Sequence, residues 1–183
     1  VSVLGKGVLT NMCAFILENG ELFEKSGDAL FGLIQLIDEV DKEVAISGEK
    51  SRQNMNKVLE DILAKYPAMQ TSWDSRITKQ ASDMVEATIK NQLNEDTFCE
   101  NVQTLRTSTN LVDGYVLSAF LKKLLAVFSS YLAGTKTDTS VVLKCSDIIG
   151  ILVKHRLLQE REQEFLASLV SVVASAPYAA LAI

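Results

Sequence analysis

The apolar positions of the chain recur at helical rather than strand spacing. A clear stripe lies between Ser51 and Tyr66, just before Pro67, at Met55, Val58, Leu59, Ile62 and Leu63. Alternation of apolar and polar residues at strand length is absent from the sequence, and no glycine occurs between Gly48 and Gly114. The pattern therefore predicts an all-α fold.

Polar caps, glycines and prolines divide this pattern into helical segments. Asp28, Asn94 and Ser140 have the side chains of N-caps, while Gly20 and Gly134 follow apolar stripes as helix stops. The predicted helices are Gly7–Asn19, Asp28–Ser47, Ser51–Tyr66, Ser72–Leu93, a short segment after Asn94, Leu111–Ala133, Ser140–Glu160, and Glu162 to about Ala176.

The segment Leu111–Ala133 differs from the others because it is apolar on nearly every face. Asp113 and the pair Lys122 and Lys123 are its exceptions. A helix that is apolar all round is typically buried in the middle of a bundle. No repeat or linker interrupts the chain, so we predict one domain, residues 1–183, built as a bundle of about six or seven helices around this central apolar helix.

Composition narrows the range of partners. The hydrophobic share of 48% and the charged share of 22% are ordinary for a folded protein, and the net charge is −5. Lys and Arg are scattered along the chain, which argues against nucleic acid as a partner.

The C-terminal segment Phe165–Ile183 raises the question of a membrane span. Its 19 uncharged residues contain three serines and Pro177, so we expect a core helix with an apolar tail and no membrane span.

Candidates for catalysis or metal binding are few. The single histidine, His155, lies between Lys154 and Arg156, which disfavour its protonated form, and a lone helical histidine is most often a surface or capping residue. A zinc site of a common type or a catalytic Cys-His dyad would have to use this one histidine. The sequence Gly5–Gly7 lacks the spacing of a phosphate loop, and the helically spaced pairs Asp38–Asp41 and Glu160–Glu164 lack a full calcium-ligand set. We expect no enzyme activity, no cofactor and no metal.

Three cysteines occur, and helical spacing separates them. Cys13 and Cys145 share stripes with apolar residues and should face the core. Cys99 lies one position past Phe98, about 100° away from the apolar stripe of its helix, and should lie at or near the surface. Cys99 lies in the first turn after the Asn94 cap, where the helix dipole favours a thiolate. The nearby acids Glu95, Asp96 and Glu100 oppose this effect, so we do not expect Cys99 to be a strongly activated nucleophile.

Two interpretations of this cysteine set stay open on spacing alone. The first is three free thiols in a cytosolic helical protein. The second is a buried Cys13–Cys145 bridge that leaves Cys99 for a partner chain in an oxidising compartment.

Several motifs centred on Cys99 resemble the light chains of insect silk fibroins. "LNEDTFC", Leu93–Cys99, resembles the Leu-Asn-Glu-acidic-aromatic-Cys signature of that family, and "SWD", Ser72–Asp74, resembles its upstream Trp-Asp. "CENVQTLRTSTN" and "GYVLSAFLKKLLAVFSSYLAGTKTD" are similar to the segments that follow, and "DEVDKEVAI", Asp38–Ile46, is a shorter match. The resemblance covers mainly residues 73–138.

The resemblance implies a secreted, non-enzymatic structural protein. Cys99 would form an intermolecular disulfide with a large silk (fibroin heavy) chain, and Cys13 with Cys145 would form the internal disulfide. The subunit would keep its partner soluble for secretion. Two other functions remain open from the residues themselves: a carrier of an apolar ligand beside Leu111–Ala133, and an intracellular adaptor for a partner helix. Homo- or hetero-oligomer formation is also left open.

Overall fold

The computed structural model describes residues 11, 14–15, 17–22, 32, 57, 60–107, 111–134 and 138–176. The fold is all-α as predicted, and no strand occurs in these residues. Most of the predicted helix Asp28–Ser47, the sequences Gly5–Gly7 and Asp38–Asp41, Cys13, and the apolar tail from Pro177 lie outside the described residues.

Five longer helices form the described fold. They are α1 (Pro67–Lys90), α2 (Glu95–Thr107), α3 (Leu111–Leu132), α4 (Thr139–Lys154) and α5 (Glu162–Ala174). Residues 60–65 are also helical, and short 3₁₀ turns occur at Gly20–Leu22 and Gln159–Arg161. The chain divides into two compact units, residues 1–76 and 77–183, so the prediction of a single domain at 1–183 stays a prediction.

In residues 1–76, Tyr66 is buried and links the start of α1 to the first 3₁₀ turn. Its hydroxyl donates to the carbonyl of Leu17 at 3.0 Å and accepts from the backbone N–H of Gly20 at 3.1 Å. Lys65 Nζ donates to the same Leu17 carbonyl at 2.6 Å. Gly20 lies so close to the Tyr66 ring that an added Cβ would come within 2.1 Å of it, which explains why a glycine follows the first helical stripe.

The start of α1 corrects one predicted boundary. The preceding helix stops at Lys65, as expected for a helix ended by Pro67, but the next helix, expected to start at Ser72, starts at Pro67 itself. Proline is favoured at this position because the first helical N–H has no partner within the helix, and the proline φ angle is already helical. Helix α1 then buries every fourth side chain: Met69, Trp73, Ile77, Ala81 and Val85.

In residues 77–183, α3 is the central helix of the bundle, as its all-round apolar sequence predicted. It packs against α2, α4 and α5. Its buried side chains are Val116, Leu117, Phe120, Leu121, Leu124, Leu125, Phe128 and Leu132. Helix α3 ends where Gly134 adopts a φ angle of +71°, in agreement with its predicted role as a stop.

Both ends of α4 differ from the prediction of Ser140–Glu160. Asp138, rather than Ser140, is the N-cap, and its carboxylate accepts hydrogen bonds from the backbone N–H and the hydroxyl of Ser140 at 3.0 and 2.6 Å. The helix ends at Lys154 because the backbone turns at Arg156, whose φ is 52°. This turn buries Leu157 and Leu158 in the core.

Within the described residues, one helix, Val112–Leu132, is long and apolar enough to span a bilayer. Of an 18-residue apolar stretch within this helix, 44% is buried inside the fold. A soluble bundle's central helix meets the same length and hydropathy criteria.

Candidate functional site: a cysteine beside a charged helix junction

Helix α2 positions Cys99 through a capped first turn and an aromatic anchor. The Oδ1 atom of Asn94 accepts a hydrogen bond from the backbone N–H of Thr97 at 3.0 Å, which confirms Asn94 as the predicted cap. Phe98 is buried, and its ring centroid lies 6.3 Å from that of Phe120 on α3. With Phe98 fixed inward, the next side chain, Cys99, is turned about 100° away from the core.

The Cys99 side chain is partly buried. It packs against the edge of the core cluster yet keeps some exposure, so the expected position at or near the surface is refined to a half-buried one. The pKa of the thiol is raised above its ordinary value, first by burial and then by the carboxylates of Glu95 and Asp96, while Lys154 acts in the opposite direction. A raised pKa disfavours the thiolate form of Cys99, which agrees with the expectation that this thiol is not a strongly activated nucleophile.

A charged junction lies one turn before Cys99. The Oε1 atom of Glu95 lies 2.6 Å from Lys154 Nζ and 2.5 Å from His155 Nε2. These contacts join the first turn of α2 to the C-terminal end of α4. The hydrogen bond from Lys154 and then that from His155 lower the pKa of Glu95, and the same carboxylate raises the pKa of Lys154.

His155 has the capping role that was expected of a lone helical histidine. It is the C-cap of α4, with its backbone N–H directed to the carbonyl of Ile151, and its ring is exposed. The contact with Glu95 was missed by the sequence reasoning. The helix dipole favours an acid in the first turn, where Glu95 lies, and a base in the last turn, where Lys154 lies. The sequence shows these positions, but the contact between the two side chains depends on how the two helices pack.

Cys145 has the opposite environment from Cys99. It is fully buried in the core among residues of α4, as its apolar stripe predicted, and burial raises the pKa of its thiol to about 11. Cys145 is a free thiol in this structure. Its predicted partner Cys13 lies outside the described residues, so the Cys13–Cys145 bridge stays a prediction.

Other chemistry is sparse in the part of the chain that the structure describes. No group of three or more His, Cys, Asp and Glu side chains there is arranged to hold a metal ion. Glu160 and Glu164 are both exposed, in line with the solvated face expected for them.

A second feature is a half-open groove of about 560 Å³, which we name the lateral groove. It runs between α1, α3 and α4. Its walls carry both apolar and charged side chains, including Val85, Ile89, Lys123, Val127, Val141 and Lys144. The alternative of an apolar-ligand carrier assumed a cavity beside Leu111–Ala133 without naming lining residues, and the lateral groove lies along α3 at Lys123, Val127 and Tyr131.

Comparison with known proteins adds no relative, since no family model, curated protein or solved structure matches this chain.

Proposed function

We propose that this chain is a secreted, non-enzymatic structural subunit that joins a second chain through an intermolecular disulfide at Cys99. The observation that carries the proposal is the contrast between the two described cysteines. Cys99 is half-buried at the edge of the core, whereas Cys145 is 0% exposed. A sulfur atom must be reached by its partner for a disulfide to form, and among these two only Cys99 offers that access.

The partner that the resemblance around Cys99 implies is a large silk heavy chain. Under this proposal the internal disulfide joins Cys13 to Cys145, which leaves Cys99 as the unpaired thiol of an odd set. Oxidation of Cys99 and a partner thiol removes two electrons and two protons, which the disulfide-forming enzymes of a secretory compartment accept.

The electrostatics of Cys99 suit a lasting bond better than a fast one. Glu95 and Asp96 disfavour the thiolate and raise the pKa of the thiol. A thiol of high pKa is a poor leaving group, so a disulfide made by Cys99 exchanges slowly when another thiol attacks the partner's sulfur. This is the behaviour required of a structural link.

The benefit to the partner is physical. The chain carries a net charge of −5 on a folded domain. Attached to a long chain that aggregates readily, such a domain adds like-charge repulsion and a hydrated surface, both of which favour solubility before assembly.

The test is non-reducing electrophoresis of material secreted by cells that make both chains. In the wild type we expect a high-mass species that collapses on reduction, and in Cys99→Ser we expect that species to be lost. The double variant Cys13→Ala/Cys145→Ala is the matched control, because it removes the proposed internal pair without leaving a new unpaired thiol, and it should keep the high-mass species. If Cys99→Ser leaves every high-mass species unchanged, the proposal fails.

Titration of thiols in freshly isolated native protein separates the proposal from the adaptor alternative. The absence of any free thiol after denaturation without reductant agrees with the proposal. Three free thiols would favour an intracellular helical adaptor instead.

A further inference from the structure

We propose that the lateral groove between α1, α3 and α4 binds a long-chain carboxylate, with the carboxylate at Lys123 and the hydrocarbon chain along the apolar wall. The proposal concerns a different part of the molecule from Cys99 and does not depend on it. It rests on the size of the groove, the chemistry of its wall and the arrangement of its charges.

The size of the groove suits a small molecule. Its volume of about 560 Å³ falls within the roughly 300–1,000 Å³ range of ligand pockets. Its apolar wall comes from three helices, with Val85 and Ile89 on α1, Val127 on α3 and Val141 on α4. Of these, Val85 is fully buried, and the other three pack partly buried against the core. This wall gives a hydrocarbon chain a surface that excludes water on one side.

The charges of the groove favour an anion. Three lysines, Lys90, Lys123 and Lys144, face two carboxylates, Glu86 and Asp138, in a chain that is acidic overall. The charged side chains of the groove therefore sum to a positive charge, whereas the whole chain has a net negative charge.

Most of these charges already have partners. Lys90 pairs with Glu86, and Lys144 Nζ donates to the carbonyl of Ile89 at 2.6 Å, bridging α4 to the end of α1. Asp138 accepts hydrogen bonds from Ser140. Lys123 is exposed, and no carboxylate in the described part of the chain forms an ion pair with it.

Lys123 therefore supplies the cation for a ligand headgroup. It lies one helical turn before Val127 on α3, so a carboxylate at its ammonium group places the attached hydrocarbon beside Val127 and the facing side chains of α1 and α4. The stem of a lysine also covers apolar surface while its charged end stays in water, which suits an amphiphilic ligand at an open groove.

The experiment is isothermal titration calorimetry of the 183-residue chain with dodecanoate, below the concentration at which the probe forms micelles. Lys123→Gln removes the proposed headgroup contact. Lys122→Gln is the matched control, because this exposed neighbour has the same charge on the same helix but lines a different, smaller cavity of about 110 Å³ beside α5. Dodecyltrimethylammonium tests the sign of the charge with the same hydrocarbon length.

We expect one dodecanoate bound per chain, an affinity about fivefold weaker in Lys123→Gln, and a change below about twofold in Lys122→Gln, which is the scale of one exposed charge contact. Dodecyltrimethylammonium should bind at least about tenfold more weakly than dodecanoate, since it meets like charge. The proposal is overturned if dodecanoate does not bind, if both variants respond alike, or if the cationic amphiphile binds as tightly.

Discussion

The ammonium group of Lys154 lies 2.6 Å from Oε1 of Glu95, and this ion pair joins the last turn of α4 to the first turn of α2. His155 contacts the same carboxylate oxygen at 2.5 Å. Cys99 follows Glu95 by one helical turn, so the electrostatic environment of the thiol is set by a junction between two helices rather than by α2 alone.

Removing the Glu95 charge should make Cys99 more reactive. In Glu95→Gln the carboxylate that raises the pKa of the thiol is gone, while Lys154, which lowers it, remains. We expect the pKa of Cys99 to fall and alkylation by iodoacetamide at mildly alkaline pH to be faster than in the wild type, as followed by mass spectrometry of the Cys99 peptide.

Glu100→Gln is the control for this experiment. It removes the same charge from the residue next to Cys99 on the same helix, but Glu100 is not among the groups that raise the pKa of the thiol. A larger rate increase in Glu100→Gln than in Glu95→Gln would contradict the assigned electrostatics.

The junction should also stabilise the fold in a pH-dependent way. The folded chain holds the pKa of Glu95 below its ordinary value of 4.5, so the unfolded chain binds its proton more readily. The resulting stability is fully present above the unfolded pKa and is lost as the pH falls through the folded pKa. In urea unfolding, Glu95→Gln should be less stable than the wild type at about pH 6, and the difference should shrink towards about pH 3. A difference that stays constant across this range would show that the carboxylate's charge is not its source.

Gly20 should tolerate no side chain because of its contact with Tyr66. In Gly20→Ala the new Cβ would lie 2.1 Å from the Tyr66 ring, so the backbone or the ring must move and the hydrogen bonds of the hydroxyl are disturbed. We expect a loss of about 1–3 kcal/mol in the free energy of unfolding, comparable to leaving buried polar groups without partners.

Gly32→Ala provides the comparison in the same unit of the chain. Gly32 is helical, and an added Cβ there would meet nothing within 4 Å. Alanine in a helix is favoured over glycine by about 1 kcal/mol, so this variant should be equal to the wild type or more stable. Equal destabilisation by the two substitutions, measured by urea unfolding, would exclude the Tyr66 contact as the cause.

In reduced, folded protein, Cys99 and Cys145 should react with a thiol reagent at very different rates. With a pKa of about 11 and no exposure, Cys145 is a thiolate in roughly one molecule in a thousand at pH 8, and the reagent cannot reach it. Cys99 should be alkylated while Cys145 is not, and both should react in denaturant. Alkylation of Cys145 at the rate of Cys99 in the folded state would mean that the core opens there.

The sequence predicted the features that depend on one helix at a time. The apolar faces of Leu111–Ala133 identified the central helix, the spacing of Cys145 placed it in the core, and Asn94 was correctly predicted as a cap. Each of these follows from 3.6-residue periodicity or from local hydrogen bonding, which a single segment is able to express.

Features that depend on packing between helices were not predictable in the same way. The contact of Glu95 with His155 joins residues 60 positions apart, and the lateral groove exists only once α1, α3 and α4 are assembled. The start of α1 at Pro67 and the end of α4 at Lys154 were missed for a local reason. Proline is favoured at the first position of a helix as well as just after the end of one, so its presence does not show where the next helix begins. The turn at Arg156 has a positive φ, but the sequence has no glycine at this position that would have indicated it.

A disulfide map of the native secreted material, obtained by mass spectrometry of peptides cut without reduction, tests the central claim most directly. The account predicts that the peptide containing Cys99 is joined to a peptide of another chain and that Cys13 is joined to Cys145. Recovery of Cys99 as a free thiol, or joined to either cysteine of its own chain, would contradict it.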